Sequence, residues 1–180
     1  MPRLLEIFSD PAKTRDWYLT VEPDVYDETM RILNFNEPYY LIDNLISTQQ
    51  EGGLQIPKSA KICDLGCGTG IIGRHLAKNG YSNLFGIDGS ENVLRKSRMS
   101  GNYTDTKCMF LGRGPENFPE ELKEQFDVVV ASGIWMHGHV PCTGIYDAHQ
   151  AVKTGGLFVT AMRRMYWVNG DIYGYKDVFD

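Results

Sequence analysis

The segment Lys61–Gly70 constrains the fold of this chain most strongly. It reads Lys-Ile-Cys-Asp-Leu-Gly-Cys-Gly-Thr-Gly, so a short apolar run meets a carboxylate, Asp64, and then three glycines. Apolar residues at helical spacing over Ile71 to Lys78 place the glycines at a strand-to-helix turn. Glycine suits such a turn because the backbone bends sharply and a ligand must approach without a Cβ in the way. A second carboxylate, Asp88, closes the next apolar run about 20 residues later, a pairing typical of a nucleoside cofactor held at the tip of a parallel sheet.

Strands and helices are expected to alternate after residue 57. This alternation predicts an α/β fold with a doubly wound, mostly parallel, Rossmann-like sheet. Residues 57–180 are expected to form the cofactor-binding core, and residues 1–56 an N-terminal helical lid segment of the same domain, with a helix from Glu37 to Ile46. The expected strands are Lys61–Leu65, Asn83–Ile87, Lys107–Leu111, Phe126–Ala131 and Leu157–Met162, with helices at Ile71–Asn79, Glu91–Ser97 and Thr143–Val152.

The residues around the glycines distinguish between two nucleoside cofactors. Gly68-Thr-Gly-Ile-Ile-Gly73 reads G-x-G-x-x-G, the dinucleotide fingerprint, in which a pyrophosphate sits on a helix N-terminus. A carboxylate at the strand tip, Asp64, would repel a pyrophosphate and attract an ammonium group. S-adenosylmethionine offers an ammonium and a sulfonium and has no phosphate, so it is favoured. Two alternatives remain open: an NAD-dependent oxidoreductase, or Asp64 and Asp88 as simple capping residues.

Several segments of the chain resemble one enzyme family. Asp64–Gly70 resembles motif I of the class I S-adenosylmethionine-dependent methyltransferases, and Gly86–Ser90 resembles their acidic second-strand motif. A narrower resemblance is to the methyltransferase-like family typified by the Williams-Beuren syndrome region protein, and it runs from about Trp17 to the end of the chain. The segments that carry it are Tyr26-Asp27, Phe35–Pro38, Ser132–Pro141 and Val152–Thr160. The resemblance implies S-adenosylmethionine as cofactor, S-adenosylhomocysteine as its product, and a small-molecule or protein methyl acceptor that the sequence does not identify.

The same resemblance, with the topology, implies a set of cofactor-binding residues. Ligands of open α/β sheets lie across the carboxyl ends of the strands. After the third strand, family members place a polar residue against the adenine; this sequence lacks the usual Asp and offers Arg113, Glu116 and the backbone of Gly114 instead. The implied cofactor-binding residues are Asp64, Gly66, Cys67, Gly68, Thr69, Gly70, Asp88, Gly89, Gly114, Ser132 and Gly133.

Two histidines follow the fourth strand at the same end of the sheet. His137 and His139 are the candidate catalytic residues if a proton must be removed, because imidazole titrates near neutral pH. Alternatively, the pair fixes the loop before Pro141. No metal site is expected, because no carboxylate or cysteine completes the pair.

Four further residues are candidates for contact with the substrate. They are Tyr26, Tyr40, Trp135 and Arg163. Core packing is the alternative for the aromatic side chains, and a solvent-exposed strand exit for Arg163.

The C-terminal end departs from the family pattern. Methyltransferases of this class have seven strands, the last two forming an antiparallel hairpin, and no second run of strand length follows Met162. The sheet is therefore expected to lack the last strands. Because a bare apolar edge invites aggregation, a partner or the aromatic tail could cover the fifth strand. A catalytically silent methyltransferase-fold module in a larger assembly is the alternative function.

Composition excludes several classes of partner. The chain has 180 residues and a net charge of −5, so duplex nucleic acid is not an expected partner. No apolar stretch approaches the roughly 20 residues that span a bilayer, and no membrane association is expected. The first nine residues fall short of a secretory or transit signal, which favours the cytoplasm. The four cysteines are dispersed and are expected to be reduced thiols.

Overall fold

The computed structural model describes residues 6–8, 10–136, 138–168, 174, 175 and 178. The helices with described bounds before the sheet are α1 (Pro11–Thr20), α2 (Pro23–Ile32) and α3 (Glu37–Gln50). Each has a proline in its first turn, where the missing N–H would have no intrahelical partner. Asp10 caps α1, since its carboxylate accepts hydrogen bonds from the backbone N–H groups of Ala12 and Lys13.

Five parallel strands form one sheet in the order β3-β2-β1-β4-β5. The predicted doubly wound α/β fold is thus confirmed. The chain runs outward from β1 to β3 and then returns to the other side of β1, so the switch point lies between β1 and β4. Ligands of such sheets bind in the crevice at this point. The elements are β1 (Ile62–Leu65), α4 (Ile71–Lys78), β2 (Leu84–Asp88), α5 (Glu91–Met99), β3 (Asp105–Cys108), β4 (Phe126–Ala131), α6 (Gly144–Ala151), β5 (Val152–Thr160) and α7 (Arg164–Val168).

The central strands are apolar on both faces and divide the core into two layers. Cys63 and Val129 belong to the layer that includes Ala148 of α6. Their neighbours Ile62 and Val128 belong to the layer under α3 and α4. Because side chains alternate along a strand, a strand covered on both faces reads as a continuous apolar run. This is why β1 and β4 are recognisable in the sequence.

Two strands differ from the sequence prediction. The third strand spans Asp105–Cys108 rather than Lys107–Leu111, and it consists of polar, partly exposed residues. The apolar residues Phe110 and Leu111 lie beyond it and line a cavity instead. The fifth strand begins at Val152, with an irregularity in its pairing to β4 before Leu157. Within the described residues, no helix is both long and apolar enough to cross a membrane.

Candidate functional site

A cavity of about 1180 Å³ lies at the carboxyl ends of β1, β2 and β4, under the N-terminal helices. Ten of the predicted site residues line it: Gly66, Gly68, Asp88, Gly89, Ser132, Gly133, Tyr26, Tyr40, His139 and Arg163. Six do not: Asp64, Cys67, Thr69, Gly70, Gly114 and Trp135. His137 lies outside the described residues.

Asp88 connects the end of β2 to the glycine turn. Its Oδ2 accepts the backbone N–H of Gly68 at 2.9 Å, and its Oδ1 accepts that of Ser90 at 2.8 Å. Burial raises the pKa of this carboxyl, and the backbone hydrogen bonds oppose that rise. Each oxygen of a carboxylate has two lone pairs, so Asp88 keeps acceptor capacity toward the cavity.

Backbone approaches closely around the switch point. A Cβ on Gly66, which has φ +72°, would lie 2.2 Å from Cγ2 of Ile134. A Cβ on Gly133, also at φ +72°, would lie 2.3 Å from the ring of Phe35. Both positions therefore require glycine, and both expose bare backbone to the cavity.

Asp64 was predicted to attract the ammonium group of a ligand, but it does not line the cavity. Its side chain is only 1% exposed and lies beneath the glycine turn, where the Tyr103 hydroxyl donates to its Oδ2 at 2.6 Å. The other oxygen has no hydrogen-bond partner among the described residues. Burial raises the pKa of Asp64 to about 7, with the Tyr103 hydrogen bond opposing the rise and Asp88 adding to it. Asp64 is therefore not a fixed anion facing the cavity.

Tyr103 occupies the space beside Asp64 because two neighbouring residues are glycines. A Cβ on Gly73 would lie 2.4 Å from Cζ of Tyr103, and one on Gly86 would lie 3.2 Å from its ring. The Tyr103 oxygen also accepts the backbone N–H of Gly73 at 3.1 Å. The third glycine of the G-x-G-x-x-G string thus packs against a tyrosine.

The carboxylates that do line the cavity are Asp88 and Glu37. Glu37 is the first residue of α3, and its Oε1 accepts the backbone N–H of Gly133 at 2.6 Å and the hydroxyl of Ser132 at 3.2 Å. These contacts of Glu37 with the loop after β4 were not predicted from the sequence. The available signal was the Phe35–Pro38 stretch, which contributed to the family resemblance without a role being assigned to it.

A second missed residue is Phe110, which follows β3 and lines the cavity. A Cβ on Gly89 would lie 2.7 Å from its ring, so only glycine permits this contact. The guanidinium carbons of Arg15 and Arg113 lie 5.1 and 4.7 Å from the ring centroid. The nearby Gly114 begins a 3₁₀ turn, Pro115–Asn117, and does not reach the cavity.

The other predicted residues outside the cavity have structural surroundings. Trp135 is 1% exposed in the core, and its indole N–H donates to the Thr160 hydroxyl. The Thr69 hydroxyl donates to Asp27 of α2. Cys67 is buried, which raises the pKa of its thiol, and Gly70 caps α4 in the left-handed conformation at φ +87°.

An aromatic cluster covers one end of the cavity and consists of Phe8, Trp17, Tyr18, Tyr26 and His139. Ring centroids of neighbouring members are 5.0 to 6.3 Å apart. The Tyr18 hydroxyl and Nε2 of His139 are hydrogen-bonded at 2.8 Å. Burial raises the pKa of both Tyr18 and Tyr26. Tyr26 also lies over the glycine turn, with its hydroxyl 3.5 Å from where a Cβ of Gly68 would be.

Comparison with known proteins identifies the family. The profile of a methyltransferase domain matches residues 62–156, which is more than half of the chain. The chain belongs to the methyltransferase family. The prediction of a class I S-adenosylmethionine-dependent methyltransferase is thereby confirmed. The aligned region begins at β1 and ends within β5, so it contains β1 to β4 and the first part of β5.

Two curated relatives agree with the family assignment, and one solved structure agrees with the fold. Human methyltransferase-like protein 27 is 33% identical over 171 residues, covering 95% of this chain and 64% of the relative. A ubiquinone biosynthesis O-methyltransferase of Hydrogenovibrio crunogenus is 36% identical over 106 residues, 58% of this chain and 44% of the relative. A TehB-like S-adenosylmethionine-dependent methyltransferase from Corynebacterium glutamicum has a TM-score of 0.58 at 22% identity, over 86% of this chain and 80% of that one. The chain therefore spans about half to two thirds of the length of these curated relatives.

The methyltransferase cavity suits the chemistry of the family's cofactor. Bare backbone at Gly66, Gly68 and Gly133 lets a ligand approach the sheet edge. The free lone pairs of Asp88 can accept ribose hydroxyls. Glu37 places a carboxylate at the loop after β4, where a positively charged amino group would be favoured.

Proposed function

We propose that this chain binds S-adenosylmethionine in the cavity and transfers its methyl group to a small-molecule or protein acceptor. The observation that carries the proposal is that Asp88 and Glu37 are the carboxylates of a glycine-lined cavity at the sheet switch point. The names of the partly matching ubiquinone biosynthesis O-methyltransferases favour a small molecule with an acceptor oxygen.

In this proposal the protein mainly binds, orients and excludes water. S-adenosylmethionine, when bound, supplies a methyl group on a sulfonium that is already a good leaving group. Asp88 would accept the ribose hydroxyls, Glu37 would accept the amino group, and Phe110 would pack against the adenine. Alignment of the reacting atoms is worth several kcal/mol in such reactions, so precise binding is the chief requirement.

Ligand titration tests the proposal and separates it from its alternatives. We expect S-adenosylmethionine and S-adenosylhomocysteine to raise the melting temperature of the purified chain, because a ligand that prefers the folded state stabilises it. NAD should leave the melting temperature unchanged. A shift with NAD alone would support the oxidoreductase alternative. A silent module that binds no cofactor would respond to none of the three ligands.

Asp88→Ala tests the ribose contact. We expect S-adenosylhomocysteine to bind about 10 to 100 times more weakly, because hydrogen bonds to a charged group contribute about 1.5 to 3 kcal/mol. Isothermal calorimetry measures this, and Glu51→Ala is the control because Glu51 is exposed and does not line the cavity. Since Asp88 also holds the backbone of Gly68 and Ser90, the unfolding free energy of both variants should be measured alongside. An unchanged dissociation constant for Asp88→Ala would refute the ribose assignment.

A partner that covers the β5 edge and a cytoplasmic location stay predictions. Two observations support a partner at the β5 edge. Its residues Leu157, Phe158 and Val159 are only half-buried, and among the described residues this strand pairs only with β4.

A further inference from the structure

Four members of the aromatic cluster line the cavity beside the proposed cofactor contacts, and none of the four is itself one of those contacts. We propose that it is the acceptor subsite, that it takes a planar aromatic molecule with a weakly acidic hydroxyl, and that Tyr18 and His139 remove the hydroxyl proton. This inference rests on the proposed function, because it places the acceptor next to the cofactor site.

The shape of the subsite favours a flat, apolar ligand. Phe8, Tyr18, Tyr26 and His139 all line the cavity, and Tyr18 lies within ring-contact distance of the other three. Aromatic rings prefer offset-stacked or edge-to-face contact at centroid distances of about 4.5 to 7 Å. A planar ring can therefore add to this set by making contacts of the same kind. A long, flexible polar chain would leave its own polar groups unpaired there.

The polar atoms of the subsite point to a hydroxyl as the reacting group. The Tyr18 oxygen and Nε2 of His139 are 2.8 Å apart, so one proton already lies between them. In the histidine tautomer that carries its proton on Nδ1, Nε2 accepts and Tyr18 donates. The Tyr18 oxygen then has lone pairs left with which to accept a hydrogen bond from an acceptor hydroxyl.

The two charges near the pair act in opposite directions. Burial and then Asp88 raise the pKa of Tyr18, and Arg163, which lines the same cavity, lowers it. The Arg163 cation would in the same way stabilise an anionic oxygen on the acceptor. Asp88 belongs to the proposed ribose site.

The proton transfer is balanced within the protein. The acceptor hydroxyl gives its proton to the Tyr18 oxygen while Tyr18 gives its own proton to Nε2 of His139. One O–H bond breaks at the acceptor, one N–H bond forms at His139, and Tyr18 is unchanged. The methyl group supplied by S-adenosylmethionine takes the place of the proton on the acceptor oxygen, and the electron pair of the broken S–C bond stays on sulfur. The positive charge lost from the sulfonium is matched by the charge gained on the imidazolium.

The test uses 4-nitrophenol as a probe in the presence of S-adenosylhomocysteine, which permits binding without turnover. The phenolate form of this probe is yellow and the neutral form is colourless. At a pH below the pKa of the free probe, we expect the probe bound to the full chain to absorb as the phenolate, because His139 has taken its proton.

Two conservative variants separate proton removal from simple contact. His139→Gln can still hydrogen-bond Tyr18 but takes up no proton, so the bound probe should stay colourless with its affinity nearly unchanged. Tyr18→Phe keeps the ring but loses the oxygen, so the probe should stay colourless and bind about three to ten times more weakly, the effect of one hydrogen bond. Tyr146→Phe, at an exposed position on α6, is the matched control and should behave like the unsubstituted chain.

Binding of S-adenosylhomocysteine is measured in every variant and separates the two proposals. If it binds but the probe does not, or if bound probe is yellow in His139→Gln, the acceptor subsite is overturned and the proposed function stands. If S-adenosylhomocysteine itself does not bind the unsubstituted chain, both proposals fail.

Discussion

At the scale of single residues, Glu37 is hydrogen-bonded to two residues that also line the proposed cofactor site. Its Oε1 holds the backbone N–H of Gly133 and the hydroxyl of Ser132, so the loop after β4 and the start of α3 are fixed to each other. A carboxylate in this position has further lone pairs for a cationic amino group. Glu37 therefore both shapes the methionine end of the proposed site and gives it a negative charge.

Glu37→Gln separates these two roles, because glutamine keeps a carbonyl oxygen for Gly133 and loses the charge. We expect S-adenosylhomocysteine to bind about 10 to 100 times more weakly, because a hydrogen bond to a charged group contributes about 1.5 to 3 kcal/mol. Adenosine has no amino acid part and should bind with unchanged affinity. Calorimetry with both ligands measures the difference, and Glu51→Gln, just beyond the other end of α3, is the control. Equal weakening of both ligands would contradict the assignment.

Single residues also mark the limit of what the sequence could predict. The glycine turn and Asp88 were recognisable because backbone geometry demands glycine and because a strand-end carboxylate is typical of ribose binding. Asp64 was predicted as the carboxylate near an ammonium, whereas the carboxylates that line the cavity among the described residues are Asp88 and Glu37, and Glu37 lies 27 positions before Asp64. Spacing in the sequence cannot show that Tyr103 covers Asp64, since that contact joins residues 39 positions apart.

At the scale of elements, α2 is hydrogen-bonded to the glycine turn through the side chain of Asp27. Asp27 accepts the hydroxyl of Thr69, and its other oxygen pairs with Lys96 of α5 at 2.7 Å. Asp24, one turn earlier, pairs with the same lysine at 2.6 Å, and among the described residues its side chain forms no hydrogen bond to the glycine turn. The Asp27 side chain is 28% exposed and the Asp24 side chain is 93% exposed. The two acids therefore form a matched pair, of which Asp27 alone reaches the turn.

Asp27→Ala should loosen the helix over the site, whereas Asp24→Ala should not. We expect the first substitution to weaken S-adenosylhomocysteine binding about three- to tenfold, since it removes a hydrogen bond worth about 1 kcal/mol beside the ligand. The second removes only an exposed ion pair, and such pairs contribute about 0 to 1 kcal/mol to stability. Calorimetry gives the affinities, and hydrogen exchange over Pro23–Ile32 should be faster in Asp27→Ala alone. Equal exchange in both variants would mean that α2 is held by its apolar contacts instead.

The elements themselves were predicted best where they are buried. Helix α4 and strands β1 and β4 lie within one or two residues of their predicted bounds, because continuous apolar runs and helical spacing report burial directly. The third strand was wrong because its residues are polar, and the apolar residues after it serve the cavity. Phe110 was therefore placed in a strand when it belongs to the site.

At the scale of the whole molecule, the sheet carries a titratable group at its centre. Asp64 lies on β1, the middle strand, with its neighbours β2 and β4 on either side. Burial raises its pKa to about 7, from an ordinary value of 3.8. The groups that act on it are Tyr103, which donates to it, and Asp88, which repels it. Because the folded state holds this proton more tightly than the unfolded state, folding and pH are linked.

The sign of this linkage predicts how stability changes with pH. Between about pH 4 and pH 7, the folded chain keeps the Asp64 proton and the unfolded chain has lost it, so the contribution of this group to the free energy of unfolding falls as the pH rises. The slope approaches about 1.4 kcal/mol per pH unit for one proton. Asp64→Asn has no such proton, and its amide oxygen can still accept from Tyr103. We therefore expect the unfolding free energy of Asp64→Asn to rise relative to that of the unsubstituted chain across this window, and the difference to level off above about pH 7.

Urea denaturation of both proteins at several pH values measures this difference in unfolding free energy. The buried Asp88 is present in both proteins, so its titration cancels in the comparison unless the two carboxyls are strongly coupled. Parallel stability curves from pH 4 to pH 7 would show that Asp64 is ionised in the folded chain over this range and would contradict the prediction.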